Sequence, residues 1–142
     1  MNQNKKFLTF KSEFNKFLSL QIPDSNEICH KAIKYAISNG GKRIRAYLLF
    51  VLGKHFGISK NNLNILGASV ELIHAYSLVH DDLPCMDDDV LRRGKLTCHK
   101  KYNEAQALLV GDALQSLSFE LLSSNKLKID PKLKIECINL LA

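Results

Sequence analysis

The chain has 142 residues, 46% of them hydrophobic and 24% charged, which is enough apolar material for one domain with a sizeable core and too much for a disordered polymer. The net charge of +6 rests on sixteen scattered lysines among twenty cations, without the basic stripe and stacking aromatics of a nucleic-acid binder, so a solvated lysine surface and no nucleic-acid partner are expected. Apolar runs such as AYLLFVLG are too short to cross a bilayer, Glu71 and His74 interrupt the longer stretch, and Lys11 and Glu13 interrupt any signal core at the start, so no transmembrane segment and a cytoplasmic location are expected.

The predicted elements are all helical. Phe7, Phe10, Phe14 and Phe17 recur at three and four residues, which gives one apolar helical face closed by Pro23. Asp24 or Ser25 can cap a second helix with Ile28, Ala32, Ile33 and Ala36 facing inward, and Asn39-Gly40-Gly41 stops it. A third helix is expected from about Lys42 to Phe56. A fourth runs from about Asn61 to Asp82, where Pro84 would clash with the carbonyl of His80 if the helix continued. Residues 84–102 are polar and predict a loop. A fifth helix spans roughly Asn103 to Ser124, and Asp130-Pro131 opens one more. No alternating strand pattern or hairpin turn competes, and no repeat or interdomain linker is visible.

The stretch LVHDDLPCMDDDVLRRG crowds five aspartates, Asp81, Asp82, Asp87, Asp88 and Asp89, into nine residues and sets Arg92 and Arg93 beside them. Two carboxylates about 5 Å apart repel by roughly 3 kcal/mol at an effective dielectric of about 20. The negative end of the preceding helix dipole adds to that repulsion. Divalent ions relieve it, and an all-oxygen donor set suits hard ions, Mg2+ first and Mn2+ or calcium after it. An EF-hand does not fit, because the D-x-D-x-D-G ladder is missing. Zinc does not fit either, since Cys85, Cys98 and His99 lack ligand spacing, and the four cysteines form neither a CxxC nor a disulfide framework. Mg2+ keeps waters and usually bridges carboxylates to substrate phosphates, so a diphosphate over Asp81 and Asp87 is expected, with Arg92 and Arg93 on its remaining oxygens. A capped, solvated acidic loop is the plain alternative.

The only other arginines, Arg43 and Arg45, stand in Gly40-Gly41-Lys42-Arg43-Ile44-Arg45 at the start of the third helix. Clustered arginines, free N–H groups at a helix start and adjacent glycines all suit an anion. Lys42 and Arg45, three apart, share a face. The spacing is not that of a P-loop, so nucleotide triphosphate binding is not implied. By itself this could be a helix stop followed by a basic turn. Together with the acidic stretch it predicts a second anion pocket and a reaction between two phosphorylated substrates.

GGKRIRA, followed by ELIHAYSLVHDDLPCMDDDVLRRGKLTCHKKYNEAQALLVGDAL, resembles the bacterial short-chain prenyl diphosphate synthases, most closely those that make farnesyl diphosphate. The resemblance implies an all-α antiparallel helical bundle of the isoprenoid synthase type, usually homodimeric. It implies that Asp81 and Asp87 hold Mg2+ with Asp82 as a helper. It implies that Arg92 binds the allylic diphosphate and that Lys42, Arg45, His74 and Arg93 bind isopentenyl diphosphate. Tyr76, five residues before the first aspartate, would floor the product pocket with Ser77 beside it. The implied activity is a prenyltransferase of isoprenoid biosynthesis, forming farnesyl or geranylgeranyl diphosphate.

Ala46 and Leu96 stand where such proteins commonly have proline, and Asn103 where they have glycine. The chain has about half the usual length and lacks the second aspartate-rich element. Residues 1–142 are therefore expected to be the N-terminal part of one domain, truncated or split, with little activity alone. The fourth and fifth helices would then expose apolar faces, covered in the complete protein by a second copy or the missing half. Two other readings stay open. A non-catalytic helical partner of a complete synthase would keep its function after Asp81→Ala and Asp87→Ala together. A simple magnesium or diphosphate binder would take up metal indifferently to added diphosphate.

Overall fold

The computed structural model describes residues 3–38 and 41–142. Asn39 and Gly40, two of the three residues read as the stop of the second helix, lie outside the described residues. Helix α1 spans Gln3–Ser19, α2 Ile28–Ser38, α3 Ile44–His55, α4 Lys60–Asp81, α5 Cys98–Lys101, α6 Glu104–Ser123 and α7 Pro131–Leu141. The all-α expectation holds, with one correction in the segment read as loop. Strands β1 (Leu91–Arg92) and β2 (Lys95–Leu96) form a small antiparallel hairpin, and α5 follows it.

Local chemistry sets the helix ends. Ser59 caps α4 by accepting from the Asn62 N–H at 3.3 Å, Asn103 caps α6 by accepting from Gln106 N–H at 2.8 Å, and Asp130 caps α7 by accepting from Lys132 N–H at 2.8 Å. Asn103, a departure from the resembled pattern, thus fills a capping role. Helix α2 begins later than Asp24 or Ser25 would set it. Asp24 instead pairs with Lys34 at 2.6 Å, and the Ser25 hydroxyl accepts from Glu27 N–H while meeting His30 Nδ1 at 2.6 Å. Ile28, at the first turn, is exposed rather than inward, whereas Ala32, Ile33 and Ile37 are buried.

Helices α4 and α6 form the central pair, with α3, α2 and α7 packed around them. Their apolar positions, Leu72, Ala75 and Val79 on α4 and Ala107, Val110 and Leu114 on α6, make the core. Ser118 Oγ donates to the Ser69 carbonyl at 2.8 Å across this interface, so the buried hydroxyl is satisfied. On the other side, Phe10, Phe14 and Leu18 of α1 are buried, and Phe10 meets Tyr47 and Phe50 of α3. No large apolar side chain of α4 is exposed, contrary to the expectation for that helix. Leu108 and Leu109 of α6 do face solvent, as do Leu133, Ile135 and Leu140 of α7.

Candidate functional site

The acidic end of the site is built by the stop of α4. Asp82 is the C-cap, and Pro84 keeps the helix from continuing. The carbonyl of His80 then accepts from Leu83 N–H at 3.1 Å. The chain doubles back, with Met86 and Asp88 donating to the Leu83 carbonyl at 2.8 and 3.1 Å and Asp87 N–H donating to the Asp81 carbonyl at 2.9 Å. That last bond brings Asp87 against the end of α4, beside Asp81. His80 anchors the same turn from behind. Its Nε2 donates to the Leu108 carbonyl at 3.0 Å, and Gly111 leaves room for the ring: a β-carbon there would fall 2.0 Å from Nε2.

The five aspartates divide into two groups. Asp82 is buried and binds Arg92 Nε at 2.6 Å; Asp89 binds Arg92 Nη2 at 3.1 Å; Asp88 takes Lys100 Nζ at 3.3 Å and lies 3.7 Å from His99 Nε2. Asp81 and Asp87 enter no ion pair among the described residues. Asp82, expected as a helper of the metal ligands, is held against Arg92, because a buried carboxylate needs a close cation and Arg92 supplies it. The pairing holds the Arg92 guanidinium firmly protonated, chiefly through the hydrogen bond to Asp82.

The hairpin separates the two adjacent arginines. Its turn is Arg93-Gly94, with φ of 55° and 76°, both left-handed as a type I′ turn requires. Arg92, on β1, reaches back to Asp82 and Asp89. Arg93, at the tip, lies toward the third-helix loop: its Nη1 would be 3.2 Å from a β-carbon on Gly41. Glycine at that position is what lets the guanidinium approach the backbone. Arginine is an unusual first residue for such a turn, so the sequence alone does not announce it.

The second pocket, about 470 Å³, is lined by Lys11, Gly41, Lys42, Arg43, Ile44, Arg45, Glu71, His74 and Arg93. It unites the four residues expected to hold isopentenyl diphosphate, Lys42, Arg45, His74 and Arg93. Lys11 was not expected. It comes from α1, whose phenylalanine periodicity reads only as core packing, and nothing local marks one lysine of sixteen as facing a pocket. Arg43, though it lines the pocket, is buried and bound to Glu71 at 3.1 Å. His74 has its pKa lowered, first by desolvation and then by Arg45, with Glu71 opposing and Arg93 and Arg43 adding to the effect.

A small cavity of about 40 Å³ joins the two ends, and Glu71, His74, Leu78, Asp82, Arg92 and Arg93 are among its lining residues. Cys98 also lines it, with its thiol pushed up to about 11 by burial and then by Asp82, so it stays protonated at neutral pH. Tyr76 packs edge-on against His80 at 4.8 Å, and Ser77 Oγ donates to the His74 carbonyl at 3.1 Å. Both lie on α4 between His74 and Asp81, half-buried.

A divalent cation fits the acidic end on the chemistry of its donors. Asp81 and Asp87 offer hard oxygen donors, are held together by a backbone hydrogen bond and form no ion pair among the described residues. No group of three His, Cys, Asp or Glu among the described residues converges to hold a metal alone. The remaining donors would therefore be water and phosphate oxygens.

A family profile described as "Polyprenyl synthetase" matches residues 26–142. The chain is 53% identical over 102 residues to the farnesyl diphosphate synthase of Escherichia coli, covering 72% of this chain and 34% of that protein. It is 46% identical over 134 residues to the farnesyl diphosphate synthase of Haemophilus influenzae, covering 92% of this chain and 45% of that one. The fold superposes on an FPP/GFPP synthase from Zymomonas mobilis, apo structure, with a TM-score of 0.91 and 38% identity, over 97% of this chain and 51% of that chain. It superposes on a Helicobacter pylori geranyltransferase complexed with magnesium and isoprenyl diphosphate with a TM-score of 0.83 and 34% identity, over 100% of this chain and 50% of that chain. The chain thus spans about half the length of the relatives it matches, or less. The profile match covers most of the chain, and the chain belongs to the polyprenyl synthetase family.

Proposed function

We propose that this chain carries the diphosphate-binding half of a prenyltransferase site, one that joins an allylic diphosphate to isopentenyl diphosphate. The observation that carries the reading is the division of charge: of five clustered aspartates, Asp81 and Asp87 alone are left without an ion pair among the described residues, while Arg92 turns to Asp82 and Asp89 and Arg93 lies against Gly41. The names of the relatives, farnesyl diphosphate synthases among them, support the same substrate class.

In this reading Asp81 and Asp87 hold Mg2+, which supplies Lewis-acid neutralisation of the allylic diphosphate. Arg92, fixed by Asp82 and Asp89, meets the same diphosphate and stabilises the negative charge that grows as its carbon–oxygen bond breaks. Lys42, Arg45, Arg93 and Lys11 grip isopentenyl diphosphate in the basic pocket, with His74 at its wall. Their fixed separation aligns the isopentenyl double bond with the allylic carbon. The double bond attacks that carbon, the departing diphosphate keeps the electron pair, and loss of a proton leaves a chain longer by one isoprene unit. Ala75, Leu78 and Val79 provide an apolar wall that keeps water from the allylic centre. Tyr76 and Ser77, on α4 one to two turns before Asp81, are assigned to limiting product length, with farnesyl diphosphate the expected product.

Calorimetry with Mg2+ and a non-reactive allylic diphosphate analogue tests the reading. Metal and analogue are expected to bind synergistically, each strengthening the other about tenfold or more, with the synergy lost in Asp81→Asn. Binding of each that is indifferent to the other would overturn it.

A further inference from the structure

The structure assigns Arg43 and Glu71 a role the two anion sites do not account for: we propose that this buried pair is a positioning device that holds the basic pocket in shape. The inference rests on the reading of that pocket as the isopentenyl diphosphate site.

Arg43 stands immediately before α3 with φ 54° and ψ 33°, and makes no side-chain cap. Non-glycine residues seldom take this left-handed conformation, and it persists where the surroundings hold it. Its guanidinium is the holder. Nε donates to Asn15 Oδ1 of α1 at 2.9 Å, Nη1 donates to Glu71 Oε2 of α4 at 3.1 Å, and Nη2 donates to the Ile37 carbonyl of α2. Glu71 returns the contact, its Oε1 lying 3.4 Å from the Ala46 N–H in the first turn of α3. One side chain therefore ties three helices to the start of a fourth. Side-chain exposures of 7% and 3% put the pair out of reach of solvent.

The consequence falls on the neighbours. With Arg43 turned inward, Lys42 and Arg45 on either side of it are exposed and line the pocket. Glu71 lies one helical turn before His74, so the same pair fixes the loop against the pocket's histidine wall. Gly41 sits between Arg43 and Arg93, where a β-carbon would be 3.4 Å from one Nη1 and 3.2 Å from the other. Arg43 and Glu71 cancel in charge, so the pair adds no net attraction for an anion. Its contribution is geometric, and geometry and charge give opposite expectations for one substitution.

Glu71→Gln keeps the size of the side chain and raises the net charge of the pocket by one. If charge decides affinity, isopentenyl diphosphate binds as tightly or more tightly. If the pair positions the loop, binding weakens about tenfold or more, since small misplacements of binding groups are costly. Arg43→Lys is the companion variant: it keeps the charge, loses the planar fork, and is expected to weaken binding similarly. Titration calorimetry of isopentenyl diphosphate without metal, corrected for the folded fraction from thermal melts, gives the readout. A residue that merely stabilises the fold leaves the affinity of the folded fraction unchanged. The double variant Arg43→Met/Glu71→Met replaces the buried pair by apolar groups and is expected to recover melting temperature relative to Arg43→Met alone without recovering affinity. Wild-type affinity in Glu71→Gln and Arg43→Lys, or affinity restored in the double variant, overturns the inference and leaves the pocket reading intact. Failure of the wild-type chain to bind isopentenyl diphosphate, or indifference to Lys42→Ala, overturns the pocket reading itself.

Discussion

Arg92 and Arg93 are consecutive residues whose guanidinium groups turn in different directions. Arg92 binds Asp82 at 2.6 Å, and Arg93 packs over Gly41 on the far side. The divergence comes from a single backbone feature, the left-handed Arg93-Gly94 turn that ends β1 at Arg92.

Asp82 acts through Arg92 in this arrangement, and Asp82→Asn separates that role from metal binding. The amide keeps the shape and loses the charge-assisted bond, so stability should fall by about 2 kcal/mol in a thermal melt. Affinity for an allylic diphosphate analogue should fall about tenfold, while the Mg2+ concentration needed for half-maximal binding stays near the wild-type value. Asp81→Asn should instead shift that concentration upward. An Asp82→Asn chain with the Asp81→Asn metal response would make Asp82 a ligand.

Lys11 enters the basic pocket from α1, and Lys11→Gln tests whether it meets the anion. A partly exposed cation contributes about 1 kcal/mol or less, so isopentenyl diphosphate should bind severalfold more weakly, with a shallower dependence on salt. The melting temperature should not change. Unaltered affinity at low ionic strength would remove Lys11 from the pocket's working set.

His74 gives the pocket a proton-linked signature. Burial and then Arg45, with further cations around it, lower its pKa below the ordinary value of 6.5. The folded state disfavours the imidazolium, so this residue's contribution to stability is complete above the ordinary histidine pKa. It is lost as pH falls from there through the depressed folded value. A diphosphate in the pocket brings negative charge to the ring and should raise the pKa again. Titration of the His74 ring resonances by NMR is expected to show a low value in the free chain and an upward move on adding isopentenyl diphosphate. A value that ignores the ligand would place His74 outside the anion's reach.

Much of the architecture is legible along the chain because it depends on local rules. Asn103 and Asp130 cap their helices from side chains two or three residues from their targets, and Pro84 closes α4 by removing one N–H. The proximity of Asp81 and Asp87 is also nearly local, since one backbone hydrogen bond between residues six apart produces it. The hairpin was hidden because positive φ at Arg93 is a cost that only the completed turn and its surroundings compensate. Periodicity alone reads Ile28 as core, but α2 begins at that residue and its side chain is exposed.

The sequence by itself determined the helical class, several helix ends and the presence of one acidic and one basic cluster, because spacing, capping and charge act over a few residues. Only the tertiary structure decided which members of each cluster are available. Arg43 and Arg45 are chemically identical and two residues apart and both line the pocket, yet Arg43 is buried and paired with Glu71 while Arg45 is exposed. Asp82 and Asp81 are adjacent, yet only Asp82 is buried against an arginine. A charge is spent or kept according to what packs against it from distant parts of the chain, and burial makes that pairing obligatory.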